Sequence, residues 1–68
     1  MGERDAVVLE VTPLDVHGVR YVDVSVVFSD RVVENARLGA ESIPEDLRAG
    51  EQVIVSTAVN MIVAIRRP

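Results

Sequence analysis

The chain is 68 residues long, contains no Cys and no Trp, and carries a formal net charge of −4. That length makes one domain, residues 1–68, and the missing Cys excludes disulfide staples and thiolate metal sites. With 49% hydrophobic and 26% charged residues the composition is globular rather than disordered.

Fifteen residues are Val, whose branched side chain packs well on a pleated strand, so an all-β domain is expected. Ala6 to Thr12 reads as a first strand, ended by Pro13, which cannot donate to a ladder. Leu14 to Gly18 reads as a connection, with Gly18 free to take positive φ. Val19 to Phe28 alternates with period two. Val22, Val24, Val26 and Phe28 point to the core, and Tyr21, Asp23, Ser25 and Val27 point outward. Ser29-Asp30-Arg31 is a break of hairpin length, and a third strand runs from Val32 to Leu38. Its alternation is weaker, which predicts an edge-like strand.

Ala40 to Ala49 is the one segment without a strand pattern. Ser42 suits an N-cap and Pro44-Glu45-Asp46 an opening helical turn, with Gly50 as terminator. Ile43 and Leu47 are the plug this turn sets on the core. Gln52 to Thr57 is the fourth strand, Ala58-Val59-Asn60 a turn, and Met61 to Arg66 the fifth strand. Three strands, a short helical turn and two strands predict a five-stranded OB-like barrel; an SH3-like barrel is the alternative. Closure into a barrel removes most exposed edges.

No apolar run approaches the roughly 20 residues that cross a bilayer. The polar start Gly2-Glu3-Arg4-Asp5 has no signal-peptide stretch, so a cytoplasmic domain is expected. Domains of this size seldom gain more than about 3–5 kcal/mol from one core, and with no staple, self-association is expected to help.

The string from Leu47 to Ala64 resembles the end of the interdomain OB domain of actinobacterial proteasomal ATPases. The matching positions are Leu47, Gly50, Val53 to Val55, Ala58-Val59-Asn60 and Met61 to Ala64, with Glu41-Ser42 preceding them. The resemblance implies a barrel that assembles with its copies into a ring around an axial channel. It implies no ATPase activity, because the chain has no Gly-x-x-x-x-Gly-Lys phosphate loop and no Lys. Ile43-Pro44-Glu45-Asp46-Leu47, Gly50, Val53, Val55 and the terminal Ile65-Arg66-Arg67-Pro68 also look like the swapped-hairpin antitoxin family of DNA-binding dimers. That family's basic N-terminal segment is missing here. Molybdate-binding barrels end in a similar hairpin, but their oxyanion motif is not evident.

The expected role is a non-enzymatic interaction or oligomerisation module without a cofactor or metal. Both faces of the last hairpin read as apolar, as in a strand buried on both sides. Val53, Val55, Met61, Val63 and Ile65 are expected inside; Ile54, Ile62 and Ala64 outside form the interface. Glu45, Asp46 and Arg66 are its charged rim, in which one copy's basic tail meets the next copy's acidic turn in a head-to-tail ring. The alternative is a single-stranded nucleic-acid barrel using Arg20, Tyr21 and Arg37. Such barrels need a basic groove and aromatic platforms, and the charge of −4 with one outer aromatic counts against it. His17 beside Asp15 reads as an exposed turn residue, and no Ser lies in a nucleophile-elbow context.

Overall fold

A computed structural model describes residues 2–68. Five strands form one antiparallel sheet: β1 (Gly2–Val16), β2 (Val19–Phe28), β3 (Val33–Gly39), β4 (Gln52–Ala58) and β5 (Met61–Arg66). The neighbour order is β3-β2-β1-β4-β5. No hydrogen-bonded ladder joins β3 to β5, so the sheet is not closed. It is nevertheless coiled. Cα atoms of β3 and β5 approach within 8 Å, and the 3-10 turn Ala40–Ser42 packs against β5, β2 and β3.

The long first strand makes this coiling possible. Gly2 to Val7 pairs with β4 while Ala6 to Val16 pairs with β2, so β1 belongs to both halves of the sheet. A register shift between Val8 and Glu10 gives β1 one extra residue there, the kind of bulge that bends a strand and increases its twist. β1 therefore runs through Pro13 rather than ending before it. Pro13 lies opposite Val22 in a stretch where only β2 is a neighbour, the edge position in which a strand tolerates proline. Leu14 to Val16 continue the strand, and His17-Gly18 alone make the turn.

Alternation in β2 is as expected: Val24, Val26 and Phe28 are buried, and Val22 is half-buried. They meet Ala6 and Val8 of β1, Leu38 of β3, Val53 and Val55 of β4, and Ile62 and Ile65 of β5. Arg4 lies over the Phe28 ring at 3.9 Å from its centroid and reaches Asp30 at 3.3 Å, so its stem shields this side of the core while its charge stays wet. No polar side chain is buried among the described residues.

The connection from β3 to β4 differs from the helical turn expected over Ser42 to Leu47. Three residues, Ala40–Ser42, make a 3-10 turn, preceded by an extended Gly39 without a side-chain cap. Ser42 closes this turn instead of capping a later one. Pro44 pushes the residue before it out of the helical region, and Ile43 is extended at φ −142°. Asp46 is left-handed at φ 55°, which ends any helical run. The plug itself is present: Leu47 is buried and Ile43 packs against the core.

Candidate interaction surface

The β4–β5 hairpin decides which apolar residues face outward. Ser56 pairs with Ala64, but Thr57 pairs with Ile62, leaving Val63 as an extra residue. One inserted residue exchanges the faces of everything beyond it. Val53, Val55 and Ile65 are buried as expected. Ile62, expected on the outer face, is instead in the core at 9% exposure. Met61 and Val63, expected inside, are 67% and 41% exposed. Ile54 and Ala64 are half-buried on the outer side of the hairpin. Period-two reading of β5 fails because nothing in Met61 to Ile65 marks the bulge.

The turn between these strands is the most unusual local feature. Val59 and Asn60 both have positive φ, 51° and 62°, the two-residue geometry that matches the twist of a hairpin. Asn suits the left-handed region; a β-branched residue there is an outlier. Val59 is also 91% exposed, so no packing compensates. The β1–β2 turn uses the same geometry at His17 (φ 51°) and Gly18 (φ 80°) with a glycine in place.

The charged residues are mostly paired within the chain. Arg66 reaches Glu3 at 3.3 Å. Arg67 holds Glu51 at 2.9 Å and donates to the Glu45 carbonyl at 3.0 Å. The basic tail thus meets its own acidic loop, the contact expected between subunits, while the Glu45 and Asp46 carboxylates form no ion pair among the described residues. Hydrogen bonds from Arg67 and from the Arg48 backbone N–H hold the Glu51 carboxyl below the usual carboxylate range.

Arg20, Tyr21 and Arg37 are not a free basic patch. Arg20 donates to Asp15 at 2.7 Å, and Arg37 makes two bonds to Asp23 at 2.8 and 3.1 Å. Arg37 thereby keeps the Asp23 carboxyl below its usual value. Ser25 donates to Asn35 at 2.6 Å on the same outer face, so this face satisfies much of its own polarity. Tyr21 is half-buried opposite Leu14. Among the described residues no group of three His, Cys, Asp or Glu is placed to hold a metal ion. Among the described residues no helix is long and apolar enough to cross a membrane.

No protein family, curated protein or solved structure was found to match the chain.

Proposed function

We propose that the chain is a non-enzymatic protein-interaction module of the OB type that associates with copies of itself through the β4–β5 hairpin. Val59 carries this reading. A β-branched residue in the left-handed region costs about 1–2 kcal/mol relative to a residue at ease there, and at 91% exposure it returns nothing to the core. Met61 and Val63 extend the exposed apolar surface along β5, and the half-buried Ile54 and Ala64 lie on the same hairpin. Glu45, Asp46 and Arg66 are the polar rim.

The OB assignment rests on the strand order. An OB fold is a five-stranded, partly open Greek-key barrel, and the order β3-β2-β1-β4-β5 with β3 near β5 suits it. The resemblance of Leu47 to Ala64 to the ring-forming OB domain of proteasomal ATPases points the same way. A head-to-tail ring joins unlike surfaces, so the hairpin would meet a different patch of the next copy.

The test is absolute mass by light scattering across a wide protein concentration range, on the native chain and on the double variant Val59→Asn, Met61→Gln. Both substitutions fall on exposed side chains, so far-UV circular dichroism should be unchanged. An oligomer that the double variant dissociates is the expected result. A native chain that stays monomeric throughout refutes self-association, and an oligomer indifferent to the substitutions refutes the hairpin as its seam.

A further inference from the structure

The hydrogen-bond phase of the ladders identifies a second surface. In an antiparallel sheet alternate residues of a strand bond to opposite neighbours. The Phe28 N–H donates to the Val32 carbonyl at 3.0 Å, so Phe28 faces the β3 side. Val27, Ser25, Asp23 and Tyr21 then face β1, where their partners are Val7, Glu10, Thr12 and Leu14. The remaining β1 residues, Val8, Val11, Pro13 and Asp15, face away from β2. Val8 displays this directly: its N–H donates to Glu51 at 2.9 Å and its carbonyl accepts from Gly50 at 2.7 Å.

Beyond Val8 this edge has no strand beside it, because β4 pairs with β1 only from Gly2 to Val7. Among the described residues, no bond outside the ladders reaches the backbone of Val11, Pro13 or Asp15. The edge borders a cleft of about 460 Å³ between the β1–β2 arm and the 43–48 loop, floored by Val11, Pro13, Val22, Ile43 and Leu47. At about 3.3 Å per residue, Val11 to Asp15 offers roughly 13 Å of edge, enough for four or five residues of strand.

We propose that this edge docks an extended segment of a partner protein, apolar at alternate positions and cationic between them, added to β1 in line with β4. Backbone pairing supplies affinity and alternate side chains supply selectivity, as in other strand-addition complexes. Inward side chains meet Val22, Ile43 and Leu47. The charge preference follows from the walls. Among the described residues that line the cleft, Glu45 and Asp46 have no ion pair, Arg20 is held by Asp15, and Arg48 is the one cation without an ion pair, so the walls keep a net negative charge. Pro13 removes one donor from the edge, which discourages indiscriminate pairing. The cleft shares Glu45 and Asp46 with the rim proposed for self-association. Its edge, Val11 to Asp15, is however at the opposite end of β1 from Gly2, which pairs with Thr57 beside the β4–β5 turn. Amide shifts at the edge and oligomer mass therefore report on the two readings separately.

The probe is a capped six-residue peptide alternating valine and lysine, titrated into the isotopically labelled full chain by amide NMR. The Val11 and Asp15 amides should shift and gain protection from exchange, while Thr12 and Leu14, already bonded to β2, keep theirs. A peptide alternating valine and glutamate should bind at least fivefold more weakly. Glu45→Lys should weaken the lysine peptide about threefold. N-methylation of every second peptide amide, prepared in both phases, should cost at least tenfold in the phase that faces β1. Unmoved Val11 and Asp15 amides overturn the proposal, as does full binding by both methylated peptides. Protection of these two amides that rises with protein concentration alone assigns the edge to a second copy instead.

Discussion

Replacing Ile62 and Met61 separately by Ala tests the bulge that sets the faces of β5. Ile62→Ala removes three methyl or methylene groups from a side chain that is 9% exposed. At about 0.8 kcal/mol per buried group this is roughly 2 kcal/mol of transfer free energy. The unfilled space adds to it, so the total falls at about 2–4 kcal/mol. A domain of this size holds about 3–5 kcal/mol in all, so Ile62→Ala should lose at least a third of its stability and sit close to its unfolding midpoint. Met61→Ala truncates a side chain that is 67% exposed and should change stability by no more than about 0.5 kcal/mol. Urea unfolding followed by circular dichroism measures both, at a protein concentration where the native chain and both variants are monomeric. If Met61→Ala is the costlier substitution, β5 has unbroken alternation and the reasoning from the bulge is wrong.

The turn gives a substitution of opposite sign. At a protein concentration where the native chain is monomeric, Val59→Asn should raise stability by about 1 kcal/mol, since Asn tolerates the left-handed region and the exposed Val59 side chain makes no buried contact within the chain; an unchanged or lowered urea midpoint there contradicts the strain. Pro13→Ala should lower stability by no more than about 1 kcal/mol, through the freer unfolded chain alone, because the restored N–H faces an edge without a strand. A gain in stability instead means that a ladder bond was missing at Pro13. Glu51 is held below the usual carboxylate range in the folded chain and returns to that range when unfolded. Its contribution is complete above the unfolded value and disappears as pH falls through the lowered native one, since the unfolded state takes up the proton first. Glu51→Gln should therefore flatten the acid limb of stability against pH, and an unchanged limb places the acid sensitivity elsewhere.

The all-β class and all five strands were legible from local pattern, although β1 runs well past the Ala6 to Thr12 expected for it. Val22 to Phe28 alternates because one side of β2 meets the core and the other water. Gly18 and Asn60 mark tight turns because they take positive φ at little cost, and Leu47 reads as a plug because an aliphatic side chain amid charged neighbours needs cover. These are properties of a residue and its near neighbours, and a sequence contains them.

Other features depended on segments far apart in the chain. Pro13 sits inside β1 because the pairing of β1 with β4 stops at Val7, so its missing N–H leaves no ladder bond unmade, a fact set by a strand some forty residues later. Ile62 is in the core and Val63 is out because pairing with Ser56 and Thr57 slips by one residue, and no composition of β5 specifies where its partner slips. Arg66 and Arg67 find Glu3, Glu51 and the Glu45 carbonyl because the coiled sheet brings the tail beside the start of β1 and the β3–β4 connection. Sequence alone determined which segments extend and which turn, since that follows from side-chain shape and backbone freedom. Only the tertiary structure decided which apolar side chains remain outside and which strand edge is left unpaired, because both are set by the register between strands that are distant along the chain.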